Sequence, residues 1–551
     1  MRKEARSQKS EVRRNSALTL QRGAAVVLIC IAAWFGFAQI RGQKQTPAAP
    51  LEVSLWYWHS PFRVSAGDAG LLKALNVRAL FVRAGTIERG EKGVCATLPQ
   101  VWQASPNSPA VHLVFNFDYS MVRHFAELDN ANIAAVVADA AKQARGKAEA
   151  VGLQVIGLQI DFDCATRRLP KYADLLKKIR ADLADPKLKL SITALETWYE
   201  SANLSAVLNA IDFAAPQYYE ANLPESIAHF EPVSNIERAA RGLGRAESFG
   251  KPFYAGLPAY GHAVMTDERG RVLGLYREMT AEAAARHPAF QFVRAFPADG
   301  QGQPATSQNS IGENLADFVA VRNARDGRGK GYHLIYDLPT PELLAQHLAL
   351  VEKNRPLNCR GVILFRYPEP GATMTLPLPA IAAALQKRTA QPDLQVKIHC
   401  AASPWELIET GRKAKRPPLD VAVTITNSGN SDTFFAPDAV TLTLTFDQPN
   451  LGEPIAPAFD RLETFAANPD SAGPKIRCSP ARANVLTLSK WRLAPGESAK
   501  ITLRLPADGA TLLRGTWALR RPDGLTTRTG KIPPMALMPQ GQDNAKTNRQ
   551  D

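Results

Sequence analysis

The sequence has no CxxC pair and no clustered Cys/His spacing among its 6 cysteines, which excludes the common zinc sites and leaves no metal or other cofactor to expect. It has no G-x-S-x-G segment, so a serine-hydrolase elbow is excluded. It has no internal repeat, which excludes solenoids and propellers. Positive charge is plentiful but not concentrated in a stripe. The formal net charge is +14, yet residues 1–22 hold seven Lys/Arg against Glu4 and Glu11, a net +5, leaving +9 over more than 500 residues. Without aromatic interleaving, that remainder reads as a solvated surface, with no nucleic acid partner.

Long apolar runs are scarce, and one matters. Gly23–Ile40 is uncharged and follows the basic segment directly, the pattern of an export signal with its N-terminus in the cytoplasm. Eighteen residues at 1.5 Å each span about 27 Å, just enough for a bilayer core. Cys30 follows Val-Leu-Ile and lacks the small neighbour of an acylation site. The expectation is an uncleaved single-pass anchor in the inner membrane, with everything after Arg41 periplasmic or otherwise extracytoplasmic. Export permits disulfides, the five cysteines beyond the expected anchor leave at least one unpaired within a monomer, and Cys400 and Cys478, both in the C-terminal part, could pair there.

The 45% hydrophobic and 21% charged composition is that of a folded chain, and 551 residues suit two or three domains. A Pro/Ala-rich tether fills 41–50. From residue 51, β-rich apolar runs alternate with amphipathic, Ala-rich stretches: Val53–His59, Val77–Arg83, Ala110–Tyr119, Leu153–Asp163, Lys189–Thr197, Ile211–Tyr219, Pro252–Tyr260 and Gly361–Tyr367. Eight such units predict a (β/α)8 TIM barrel over 51–388. The seventh connection is too long for a loop and reads as an insertion, with a strand at Gly331–Leu338 and a helix at Pro341–Lys353. Over 394–538 short alternating strands separated by Gly, Pro, Asn and Asp predict an all-β, immunoglobulin-like sandwich. The polar tail 539–551 reads as disordered.

The fourth strand carries the chemistry. In Val155–Asp163 the side chains alternate, so Leu158, Ile160 and Phe162 face the helices while Gln159, Asp161 and Asp163 face the barrel and rise to its mouth. Two carboxylates this close repel, which is a usual means of keeping one protonated for general-acid work. Strand C-termini are also where barrel enzymes place catalytic groups.

Here the sequence resembles glycoside hydrolase family 18, the chitinase-like barrels. Their fourth-strand D-G-x-D-x-D-x-E falls on Ile156–Asp163, Ile211–Glu220 is similar to the sixth-strand pattern, and Lys251–Gly261 is similar to the seventh-strand G-x-P-x-Y-G. The resemblance implies a catalytic role for Tyr219, and it sets Arg366 at the position of the family's strand-eight tryptophan, which floors the sugar; the family's chitin chemistry uses the substrate's own acetamido group as nucleophile. Departures are plain: Asp163 replaces the family's Glu, Ile156 and Gln159 replace two Asp, and Arg366 stands in the floor's tryptophan position. The pattern also resembles a bacterial family of exported barrel proteins, a resemblance that implies a fold and no activity.

Glycosidases need two carboxylates across the scissile bond. Asp163 is the expected acid/base and Asp161 its partner, with Glu196 or Asp118 as the second carboxylate. Tyr57, Trp58, Trp198, Gln217, Tyr218, Glu220, Tyr260 and Arg366 lie at strand ends suited to gripping a glycan. The expectation is an anchored glycoside hydrolase-like enzyme acting on an envelope or extracellular polysaccharide. The alternative is a glycan- or protein-binding envelope protein that has kept the barrel without the chemistry.

Overall fold

The computed structural model describes residues 50–103, 107–219, 226, 232–296, 314–322, 329–369, 371–403, 418–467, 475–506, 509–522, 524 and 526–538. The segment 23–40 expected to be an anchor, the tail at 539–551 and Glu220 lie outside the described residues. Among the described residues no helix is long and apolar enough to cross a membrane.

Eight parallel strands close a barrel: β1 Glu52–Tyr57, β2 Val77–Gly90, β3 Ala110–Phe117, β4 Val155–Asp161, β5 Lys189–Ala194, β6 Phe213–Pro216, β7 Phe253–Pro258 and β8 Cys359–Phe365. Each pairs with its successor, and β1 closes the ring by pairing with β8 (Leu55↔Leu364) and β2 (Leu55↔Leu80). Among the described residues the longer connections hold α1 Ala66–Ala74, α2 Asn130–Ala150, α3 Leu169–Leu183, α4 Leu204–Asn209, α5 Ile236–Ala246, α6 Pro341–Lys353 and α7 Leu378–Leu385, beside the short helices Tyr119–His124 and Ala281–Arg286. The β2–β3 connection differs: its strand Gly93–Thr97 folds back antiparallel on the far end of β2.

Local sequence explains the helices. The Asp129 carboxylate accepts from the Asn132 N–H at 3.1 Å and caps α2. Ile133, Val137, Ala140, Ala141, Ala144 and Ala148 then form one buried stripe, whose small side chains let the helix lie close to the sheet. Thr340 caps α6, and Pro341 occupies its first turn, where no N–H is missed.

The barrel interior is filled, not hollow. Trp56, Phe81, Val114, Phe213, Ala215 and Ile363 pack across it. His112 stacks on Phe81 with ring centroids 4.3 Å apart. It needs Gly157 opposite, since a Cβ there would fall 2.1 Å from its Nδ1. Burial pushes His112 down to about 3, so it is a neutral packing group.

The expected insertion is a five-stranded antiparallel sheet in the order Val272–Tyr276, Ala263–Thr266, His333–Leu338, Asn314–Ala320, Phe290–Phe296. Its Phe318 and Phe292 reach Trp491, which stacks on Phe435 at 5.2 Å, so the insertion and the C-terminal sheets share an apolar seam. Those sheets are a three-stranded layer (Leu394–Ala402, Leu419–Asn427, Ser498–Leu505) and a six-stranded layer. Alternation sets the packing between them: Leu419, Val421, Val423 and Ile425 face Val440, Leu442, Leu444 and Phe446 in one core. The disulfide suggested by Cys400 and Cys478 is corrected here. Both are free thiols, Cys400 buried on the smaller sheet and Cys478 just past a strand of the larger.

Candidate active site at the barrel mouth

The site rises from β4. Gln159 is fully buried, and its Oε1 accepts from the Trp56 indole N–H at 2.7 Å across the barrel. Leu158, Ile160 and Phe162 face outward, with Phe162 edge-on to Tyr172 of α3 at 5.2 Å. One step higher, Asp161 is half-buried and accepts from the Thr193 hydroxyl of β5 at 2.8 Å. Asp163, just past the strand, is exposed. Alternation therefore places the three polar residues along one inward line, with desolvation falling from bottom to top.

A cavity of about 170 Å³ opens above that line, lined by Asp161, Asp163, Thr193, Gln217, Tyr219, Tyr260, Trp56, Trp58 and Phe365. Its walls are aromatic. Tyr219 stacks on Phe365 at 5.6 Å and meets Tyr260 edge-on at 5.8 Å, and Trp58 meets Phe365 at 5.5 Å. Gly256 makes room beneath, where a Cβ would fall 3.1 Å from the Trp56 ring. Arg83 stands beside Trp58, next to the cavity. Its Nε donates to Asn116 at 2.9 Å, its Nη2 to Thr86 at 3.0 Å, and its guanidinium sits 5.9 Å from the Trp58 ring.

Several expected site residues stand elsewhere. Asp118 caps the short helix Tyr119–His124, accepting from the Met121 N–H at 3.0 Å and from the Ser120 hydroxyl at 2.6 Å. Glu196 lies in a helical turn after β5, its Oε1 turned to α5, where a Cβ on Gly242 would come within 2.6 Å. Trp198 is fully buried and donates to the Cys164 carbonyl at 2.8 Å, so it packs the outer layer. Tyr57 also faces outward. Its hydroxyl accepts from the Arg63 N–H at 2.9 Å, and its ring stacks on Tyr367 at 5.0 Å. Tyr218 is buried against Gly242, and burial raises its phenol well above the usual range. Arg366 leaves the cavity floor to Phe365 and instead pairs with Glu369 at 3.4 Å. Phe365, one residue earlier, lines the cavity in its place.

Trp56, Thr193 and Phe365 were missed, and the signal for two of them was in the sequence. The alternation applied to β4 also places Trp56 and Trp58 inward on β1 with Tyr57 outward, and it places Phe365 inward on β8. Beside the mouth, burial holds His59 down at about 4, with Glu369 3.8 Å from its Nδ1, so it is neutral near pH 7. Among the described residues no group of three His, Cys, Asp or Glu side chains could hold a metal ion.

Similar solved structures are chitinase-like barrels. A chitinase from Chromobacterium violaceum is 18% identical, with 61% of this chain and 98% of its own covered, at a TM-score of 0.37. A spore cortex-lytic enzyme from Bacillus megaterium is 13% identical, covering 62% of this chain and 75% of its own, at 0.39. A chitinase-like agglutinin from Robinia pseudoacacia is 13% identical, covering 60% of this chain and 99% of its own, at 0.38. No curated protein matches the chain. Residues 120–370, from the end of β3 to the loop after β8, match the model of a domain of unknown function, DUF3142.

Proposed function

We propose that the barrel mouth binds one sugar of a glycan and hydrolyses its glycosidic bond, with Asp163 as the proton donor. The observation that carries this reading is the lining itself: Asp161 and Asp163 share one cavity with Trp58, Tyr219, Tyr260 and Phe365. Aromatic faces suit the apolar faces of a pyranose, and the carboxylates suit its hydroxyls and leaving oxygen. Asp163, exposed at the rim, gives its proton to the leaving oxygen. Asp161, held by Thr193, faces the positive charge that develops at the anomeric carbon.

The two acids weighed as a second carboxylate, Asp118 and Glu196, are absent from the lining. That favours a 2-acetamido sugar, whose own carbonyl oxygen attacks the anomeric carbon as the leaving bond breaks. Water then opens the cyclic intermediate and returns a proton to Asp163. The test is reducing-end release from N-acetylglucosamine oligomers and from unacetylated glucan. Turnover confined to the acetylated series and lost in Asp163→Asn is the expected result; equal turnover of both series, or an unaffected variant, overturns it.

A second reading is binding without hydrolysis. Asp163 is one methylene shorter than the Glu that the fourth-strand resemblance implies, so its carboxyl sits lower than that motif requires. Calorimetric binding of the same oligomers with no product would select this reading. We also propose that 23–40 anchors the protein in the inner membrane with the barrel outside the cytoplasm. Protease digestion of the barrel in spheroplasts, with retention in the membrane after alkaline extraction, tests that placement.

A further inference from the structure

A second cavity, of about 740 Å³, lies beside the mouth, bounded by the ends of β1 and β8, the insertion helix Ala281–Arg286 and the sandwich segment 490–497. The two cavities are lined by near-neighbouring residues of the same strand ends. Trp58 faces the mouth while His59 lines the cleft, and Phe365 faces the mouth while Tyr367 lines the cleft. Arg366 stands between them and reaches back to Glu369 in the cleft wall at 3.4 Å.

The chemistry of the wall restricts its ligand. Its lining charges balance, with Arg63, Arg286, Lys490 and Arg492 against Asp68, Glu282, Glu369 and Glu497, and three of the cations are paired within the protein: Arg492 with Glu282 at 3.1 Å, Lys490 with Glu497 at 3.1 Å, and Arg286 with Asp460 at 2.6 Å. The Asp68 carboxylate accepts from the Tyr367 hydroxyl at 2.8 Å. Such a surface offers many hydrogen-bonding groups and little net field, so it suits neither a polyanion nor a cation. Between the polar groups lie the apolar faces of Pro368, Pro377, Pro379 and Pro495. Hydrogen-bonding groups alternating with small apolar faces match an uncharged saccharide chain.

We propose that this cleft is a second saccharide subsite, holding the continuation of the chain whose reacting sugar occupies the mouth. The sandwich then completes the binding site, and the substrate is a polymer rather than a single glycoside. The inference rests on the mouth being a sugar site, and the test separates the two. Calorimetry on the full chain with N-acetylglucosamine oligomers of two and six units is expected to show the longer bound at least about tenfold more tightly. Ala494→Trp, which fills the cleft from the sandwich side, is expected to abolish that gain and leave the dimer's affinity unchanged. Ala372→Trp repeats the block from the barrel side, and a thermal melt of each variant confirms folding.

A hexamer bound no better than the dimer, or as tightly by both folded variants as by the native chain, overturns the cleft while leaving the mouth intact. A hexamer weakened by Ala494→Trp but indifferent to Trp58→Ala and Tyr219→Ala, which strip the aromatic wall of the mouth, upholds the cleft and removes the mouth. No binding by either oligomer overturns both.

Discussion

Three neighbouring barrel strands, β3, β4 and β5, end in acids, and those acids have different surroundings. At β4, Asp161 and Asp163 open into the aromatic cavity. At β3, Asp118 is occupied by the first turn of the next helix, and at β5, Glu196 is turned outward to α5. The difference lies in the residues after the strand. Just past β4, Phe162 is buried between Phe125 and Tyr172, which carries the alternation on and keeps Asp163 inward. β3 and β5 turn directly into helical geometry, so their acids meet backbone N–H groups or a packed helix instead. A strand end is therefore a place where catalytic groups can stand, and the next residues decide whether an acid there faces ligand or protein.

The largest expected effect breaks this comparison most directly. Asp163→Asn should lower oligosaccharide turnover by about 10²–10⁴-fold, the usual worth of a general acid, with an unchanged melting temperature. If Asp163 were another structural acid, the melting temperature would fall and any residual turnover would track the folded fraction.

Asp337 gives the opposite case, an acid that titrates for structural reasons alone. It is buried in the insertion, where its Oδ2 accepts from the Val233 N–H at 2.7 Å, and burial raises it from 3.8 to about 7. Between these values the folded state keeps a proton that the unfolded chain has lost. Stability is therefore favoured at low pH and declines as pH rises from about 4 to about 7, by roughly 4 kcal/mol from this group. Asp337→Asn should flatten that decline, as read from urea midpoints across the range, while turnover at fixed pH stays close to native.

The barrel was legible from the sequence because its signal is repeated: each of the eight expected strands overlaps an observed one, and the helix expected at Pro341–Lys353 has those bounds. The sandwich was partly legible. Asp420–Asn427 and Val440–Phe446 alternate cleanly, whereas Arg461–Ala466 and Thr527–Ala536 carry mixed or Pro-interrupted patterns that expose much of both faces. The mouth was legible on β4 and misread on β1 and β8, where Tyr57 and Arg366 drew attention through their chemistry while Trp56 and Phe365 held the inward register. Glu196 was not recoverable, because its direction depends on α5 packing against it through Gly242.

A smaller effect sharpens the contrast within the cavity itself. Thr193→Val removes the hydroxyl that donates to Asp161. Hydrogen bonds to a carboxylate contribute about 1.5–3 kcal/mol, so turnover should fall about tenfold or somewhat more. The KM for a short oligomer should move less than kcat if Asp161 acts on charge that develops only during the reaction.

The smallest effect tests the acid at β3. Asp118 supplies the first-turn acceptor for Met121 N–H, and its second partner is the Ser120 hydroxyl. Asp118→Ala therefore loses a cap, worth about 1 kcal/mol, and the loss should appear in the melting temperature. Asp118→Asn keeps an acceptor at the same place and should recover most of that stability, which a catalytic carboxylate would not allow for activity. Turnover should be native-like in both variants once corrected for the folded fraction. A drop of tenfold or more in Asp118→Asn, with the melt restored, would return Asp118 to the chemistry. The distinction between the ends of β3 and β4 would then rest on the bound glycan rather than on the protein.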